Sequence, residues 1–176
     1  MTQEEILERV ERKAAAYEEQ YHGCAQSAFL ALGEEFDLPG TSAVFKAAGF
    51  MAGGTARMGN MCGALAGGML ALGLAAGRER IEDPLYGEEI NEASGQPKRV
   101  EFARKLFQGF VQENGAWMCR DLQIRLFGRS YDLHNPEDYA KFQEAGGYEK
   151  CPKLVGSGAR LAAQIILEMK AEGLVK

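Results

Sequence analysis

Apolar side chains recur three and four residues apart along most of this chain, which is the period of an α-helix. The pattern begins at the N-terminus, where Thr2 and Glu5 match a capping box and predict a helix over residues 3–21. Two further helices are predicted over residues 24–36 and 41–51, separated by turn-forming residues.

The second half of the chain continues the same helical pattern, and its predicted helices cover residues 100–114, 119–127, 136–142 and 151–172. Cys151 precedes Pro152, a residue favoured at the first helical position, so we expect Cys151 to be the N-cap of the last helix. No segment alternates as a strand does over more than a few residues. The sequence therefore predicts an all-α fold, a single-domain bundle of about seven helices over residues 1–176, with residues 81–97 as an exposed connection.

The most apolar helix of the chain is also rich in glycine. Residues 58–77 carry no charge, but their length only reaches the ~20 residues needed to cross a bilayer, so a buried helix is favoured over a membrane span. Gly59, Gly63 and Gly67 lie four residues apart and so share one helix face. Such a face lets another backbone or a cofactor approach closely, and Gly63 and Gly67 are predicted cofactor-binding positions.

The composition and net charge limit the classes of partner and the cellular location that we expect. The net charge of -5 gives no general attraction to nucleic acid or to anionic membranes. The charged N-terminal segment lacks the apolar core of a secretory signal, so we expect a cytoplasmic protein in a reducing environment. A homo-oligomer is compatible with the sequence, and the redox partner, protein or small molecule, is left open.

Four cysteines, separated by 37, 56 and 31 residues, each stand where a helix is predicted to start: Cys24, Cys62, Cys119 and Cys151. A helix N-terminus carries unpaired N–H groups and a partial positive charge, which lowers the pKa of a nearby thiol. If the helices pack with these ends together, the four sulfurs form one anionic pocket suited to a metal, a cluster or redox chemistry.

Each cysteine also stands in a distinctive short segment, and the four segments are Gly23-Cys24-Ala25-Gln26-Ser27, Cys62-Gly63-Ala64-Leu65-Ala66-Gly67-Gly68, Cys119-Arg120-Asp121-Leu122 and Cys151-Pro152-Lys153-Leu154-Val155. Together they resemble the C_GCAxxG_C_C family of redox-active proteins over residues 17–163. The resemblance implies electron transfer and an iron-containing site, because related domains accompany multihaem cytochromes. No Cys-x-x-Cys-His motif is present, so a covalent c-type haem is not expected.

The four cysteines also match, in number, the full ligand set of an iron–sulfur cluster or a structural zinc ion. Structural zinc sites usually take cysteines in close pairs, and this chain has none, so zinc is less favoured than a cluster. We therefore predict Cys24, Cys62, Cys119 and Cys151 as metal ligands.

Three other interpretations stay open at the level of sequence. The first is a thiol–disulfide oxidoreductase or redox sensor without metal, with Cys24 and Cys62 as the candidate catalytic pair because small residues follow each of them. In the second, the cysteines only pack in the core. The third is a non-catalytic helical binding module with a glycine-lined groove. His22 is a further candidate, as a base or hydrogen-bond partner for Cys24.

Overall fold

The computed structural model describes residues 2–175, and it confirms the predicted all-α fold. Eight α-helices follow one another, and no strand occurs within the described range. They are α1 (Gln3–Tyr21), α2 (Cys24–Glu35), α3 (Thr41–Ala47), α4 (Gly63–Ala76), α5 (Lys98–Asn114), α6 (Cys119–Phe127), α7 (Pro136–Glu144) and α8 (Gly147–Ala171), with a short 3₁₀ turn at Ala48–Phe50.

The long helix α8 lies at the centre of the bundle and packs against α1, α2, α4, α5 and α7. Its core side chains include Val155, Ile165 and Ile166, which are buried together with Phe29 of α2 and Phe110 of α5. Burial of these large apolar groups supplies the main driving force for packing the helices around α8. No helix within residues 2–175 is both long enough and apolar enough to span a membrane.

Helix α1 shows how sequence signals set the local structure. Thr2 and Glu5 form the predicted capping box at its start. Its buried stripe contains Leu7, Val10 and Ala14 and continues at the same helical spacing to Glu18. The apolar face of α1 thus carries a carboxyl group into the interior at the end that leads to Cys24.

Helix α8 begins earlier than the sequence predicts. Its N-cap is Gly146, with a left-handed φ of 83°, and Cys151 lies inside the helix rather than at its N-cap. Pro152 lacks an N–H and so removes only one helical hydrogen bond near the N-terminus. The added turn is stabilised by packing, since Gly147 is buried against Phe142 and the Phe142 and Tyr148 rings meet edge to face.

The glycine-rich helix α4 is largely buried, as predicted, and its glycines at positions 63 and 67 face α2. Gly59 lies outside it, because α4 starts at Gly63. A Cβ built on Gly63 would lie 2.1 Å from the Cys24 sulfur and 2.8 Å from the Ala25 nitrogen. A Cβ on Gly67 would lie 2.4 Å from the Ala25 carbonyl oxygen. Both glycines therefore let the backbone of α4 contact the start of α2.

We expect Gly63→Ala to destabilise the protein by about 1–3 kcal/mol, the usual cost of overpacking a core, because the new methyl group meets the α2 backbone. Gly73→Ala is the matched control: it lies in the same helix with no atom within 4 Å of the added Cβ, and it should raise stability by up to ~1 kcal/mol. Urea denaturation of both variants measures the two effects. Equal stability of the two variants would contradict the packing role of Gly63.

Candidate functional site

The structure brings the four cysteines to one cavity. All four line a space of about 120 Å³ that is bounded by residues of α1, α2, α6, α7, α8 and the segment before α4. Cys62 is buried, and Cys24, Cys119 and Cys151 are half-buried. A cavity of this volume is large enough for several water molecules or a small bound group.

Backbone pairing places two of the cysteines beside each other. The segment before α4 runs antiparallel to the segment before α6, with Met61 opposite Met118. The Cys62 N–H donates to the Trp117 carbonyl at 2.9 Å, and the Cys119 N–H donates to the Asn60 carbonyl at 2.7 Å. Cys62 thus becomes the N-cap of α4 while Cys119 becomes the first residue of α6.

The other two cysteines reach the cavity in different ways. Cys24 is the first residue of α2, directly after the sharp turn at His22 and Gly23. Cys151 lies one turn inside α8. Three of the four cysteines therefore stand at helix starts, and the prediction for Cys151 was wrong.

Burial changes the ionisation of these thiols in the direction opposite to the prediction. It raises the pKa of Cys24, Cys62 and Cys151 well above the ordinary value, and it raises that of Cys119 to about 12. The neighbouring cysteines add to each rise, because each thiolate would disfavour the next. Backbone N–H groups at Ala64 and Leu65 oppose the rise in the pKa of Cys62, but loss of water dominates.

Glu18 is a buried titratable residue of the site that the sequence analysis missed. Its side chain lines the cavity and is 4% exposed. Removal from water raises the pKa of Glu18 to about 7, and a hydrogen bond donated by Ser27 at 3.1 Å only partly opposes this. The sequence did carry a signal for its burial, because Glu18 lies four residues after Ala14, at the spacing of the buried stripe of α1.

Gln123 is a second buried polar residue in the cavity wall. Its amide nitrogen lies 3.6 Å from the Cys119 sulfur, and its amide oxygen accepts the Tyr131 N–H at 2.8 Å. The signal in the sequence is its spacing, because a residue four positions after Cys119 on one helix shares its face.

Aromatic side chains form another part of the cavity wall. Tyr139 and Tyr148 join their hydroxyl groups in a hydrogen bond, and His22 stacks on Tyr148 with ring centroids 3.7 Å apart. The Arg57 guanidinium lies over Tyr139, 4.8 Å from the ring centroid. His22 and Arg57 are the exposed members of the lining.

The His22 ring contacts Glu18 and Tyr148. Its Nδ1 atom lies 2.9 Å from the Glu18 carbonyl oxygen, and its ring is held by the stacking on Tyr148. Gly63 and Gly67 do not line the cavity and have the packing contacts described above. Small residues after Cys24 and Cys62 therefore serve helix contact rather than access to the two thiols.

Strained backbone borders the cavity. Five consecutive residues, 53–57, adopt positive φ, and three of them are not glycine: Thr55 at 60°, Ala56 at 50° and Arg57 at 63°. Each costs roughly 1–2 kcal/mol relative to a right-handed conformation. Backbone hydrogen bonds from Ala56 to Phe50 and from Arg57 to Ala52 hold this left-handed turn, which carries Gly53 and Arg57 into the cavity wall.

The thiols are free, and their present placement is not that of a formed metal site. No disulfide links the four cysteines. Among residues 2–175, no group of three or more His, Cys, Asp or Glu side chains is placed to hold a metal ion. The donor set fits a thiolate-bound centre in number and chemistry.

We expect Ala56→Gly to stabilise the protein by about 0.5–1 kcal/mol, because glycine adopts positive φ without a steric penalty. The matched control is Ala140→Gly, at an exposed position of α7, which should cost about 0.5–1 kcal/mol. Denaturation curves of the two variants should shift in opposite directions. A loss of stability in both would contradict the left-handed conformation of Ala56.

The raised pKa of Glu18 predicts a pH dependence of stability. Between pH 4.5 and about 7 the unfolded chain ionises this carboxyl while the folded protein does not, so wild type loses stability as pH rises. At ~1.36 kcal/mol per pKa unit, Glu18→Gln should gain about 3 kcal/mol over wild type between pH 4 and pH 8. Denaturation of reduced, metal-free protein at both pH values tests this, with the exposed neighbour Glu19→Gln as the control. A constant difference between wild type and Glu18→Gln would contradict the buried, protonated carboxyl.

The chain was compared with curated proteins, solved structures and protein families, and a family match covers the four cysteines. No curated protein and no solved structure matches this chain. Residues 22–165 match the family described as "Putative redox-active protein (C_GCAxxG_C_C)", a range that includes all four cysteines of the cavity. The chain belongs to the C_GCAxxG_C_C family.

Proposed function

We propose that the four-cysteine cavity binds a metal centre, an iron–sulfur cluster in the first place, and that the protein transfers electrons through it. Cys24, Cys62, Cys119 and Cys151 would supply the four thiolate ligands. The observation that carries this proposal is that four thiols from four separate segments of the chain line one cavity. Membership of a redox-active family supports it.

The electrostatics of the cavity favour a cationic occupant. Four thiols held away from water resist ionisation, both through burial and through the repulsion between neighbouring thiolates. Bound metal ions would compensate the negative charge of the thiolates, so that thiolate would become the stable form of the ligand and the thiol protons would be released. When bound, an iron–sulfur cluster would supply a site that accepts and releases single electrons.

The arrangement of the segments favours a cluster over structural zinc. The four cysteines come from the starts of α2, α4 and α6 and from inside α8, and no short loop carries two of them. The cavity therefore exists only once these helices have packed. A bound centre would be coupled to the whole tertiary structure rather than to one local loop.

A second candidate function is reversible dithiol chemistry without metal. The cysteines are free, and no three ligands among the described residues are placed for a metal, whereas a disulfide requires only two sulfurs. In that case two protein thiols would reduce a partner disulfide, losing two protons and two electrons as one protein disulfide forms and two partner thiols are released. Cys24 and Cys62 are the first pair to test.

Anaerobic reconstitution with ferrous iron and sulfide distinguishes the two candidates. We expect wild-type protein to bind iron and sulfide, to gain visible absorption and to show a reversible one-electron signal. Replacing any one of the four cysteines by serine should remove most of the bound iron, because each would be a ligand. The control is Ser157→Ala, which alters a hydroxyl bonded to Glu113 outside the cavity.

Iron and sulfide analysis after gel filtration gives the answer. Wild-type protein that stays free of iron would contradict the cluster. If such protein instead forms one disulfide on mixing with oxidised glutathione, and reduction reverses it, the second candidate replaces the first. Mass spectrometry of the alkylated peptides would identify the pair.

A further inference from the structure

Polar side chains are rarely buried in this protein. Within the described range, three polar or charged side chains are buried: Glu18, Ser27 and Gln123. Ser27 donates to Glu18, while Glu18 and Gln123 line the cysteine cavity. Burying a polar group is costly unless it is hydrogen-bonded, so their position at one cavity points to a specific use.

The orientation of the Gln123 amide follows from its partners. The Tyr131 backbone N–H is a donor, so the amide atom that faces it at 2.8 Å must be the oxygen. The NH₂ group then faces the Cys119 sulfur at 3.6 Å. A flipped amide would set two donors against each other at Tyr131, which excludes it.

We propose that Gln123 is a positioning residue for the working thiol of Cys119, holding its sulfur towards the cavity and stabilising its anionic form through an N–H···S hydrogen bond. The two residues lie one turn apart on α6, and the bond between Gln123 and Tyr131 keeps the donor in place. This inference rests on the proposed function only in taking Cys119 as one of the cysteines that react or ligate.

The amide has two partners, and the alkylation rate of Cys119 separates their roles. Gln123→Glu keeps an oxygen that accepts the Tyr131 N–H, but when ionised it offers no donor to Cys119. Gln123→Met has a similar size and removes both interactions. If Gln123 only anchors Tyr131, Gln123→Met should leave the alkylation rate of Cys119 unchanged or raise it, because a looser cavity wall gives the reagent more access. If Gln123 stabilises the Cys119 thiolate, Gln123→Met should slow that reaction. The charge of Gln123→Glu slows it in both cases, so the Met variant is the deciding one.

The first test measures alkylation of Cys119 by iodoacetamide in reduced, metal-free full-length protein at pH 8.5. The thiolate attacks the CH₂ carbon, a C–S bond forms and iodide leaves, so the rate at fixed pH follows the thiolate fraction. We expect Gln123→Met to slow labelling of Cys119 about tenfold, the usual effect of losing a hydrogen bond to a charged group. Gln123→Glu should slow it further, because its negative charge opposes the thiolate.

Peptide mass spectrometry follows Cys119 separately from the other three cysteines. Gln164→Glu, the same substitution at an exposed position of α8, should label at the wild-type rate. Wild-type or faster labelling of Cys119 in Gln123→Met would overturn the proposal. Circular dichroism checks folding, and Gln123→Leu, which is also uncharged and lacks the donor, replaces the Met variant if that variant does not fold.

A second measurement uses protein reconstituted with iron and sulfide. Hydrogen bonds to ligand sulfurs favour the reduced, more negative state of a centre. The midpoint potential should therefore fall in Gln123→Met and fall further in Gln123→Glu, while iron content stays at the wild-type level. An unchanged potential would overturn the role of Gln123 in a loaded site. If wild type binds no iron, the cluster proposal fails, and the alkylation rates still decide the role of Gln123.

Discussion

The cysteine cavity depends on the close contact between the backbone of α4 and the start of α2. This contact requires glycine at positions 63 and 67, where any Cβ would meet backbone atoms of Ala25. It sets Cys24 next to the N-terminus of α4, where Cys62 is the N-cap. The strand-like pairing of Met61 with Met118 then adds Cys119, and the packing of α8 against α2 and α4 adds Cys151. The lack of a side chain at these two glycines thus helps to bring together four cysteines that lie far apart in the sequence.

The electrostatics of the cavity follow from a competition between helix ends and loss of water. Helix N-termini favour thiolates by a modest amount, whereas removal of a charge from water costs more. The effect of burial is the larger of the two here, so the pKa of each of the four thiols rises. The same loss of water keeps Glu18 protonated close to neutral pH. The cavity therefore holds neutral groups that become anionic when a cationic centre binds or when a proton acceptor is available.

The helices differ in how closely the sequence predicted their bounds. Helix α1 carries its own capping box and apolar stripe, so Gln3–Tyr21 could be predicted in full. Helix α6 has its bounds at Cys119 and at the residue before Gly128, as expected from local signals. The start of helix α8 was mispredicted, because packing of Gly147 and Tyr148 against Phe142 extends the helix by a turn before Pro152. The left-handed turn at residues 53–57 had only its glycines as a signal, and Thr55, Ala56 and Arg57 gave none.

The amino-acid sequence by itself determined the helical class, most helix bounds and the four cysteines as the candidate chemical groups, because helix period, caps and cysteine identity are local properties. Only the tertiary structure decided that the four thiols share one cavity, that α2 covers Gly63 and Gly67, and that Glu18 and Gln123 complete the lining. It also decided the direction of the thiol pKa shifts. These properties depend on distance from water and on contacts between residues far apart in the chain, and a local sequence pattern predicts neither of them.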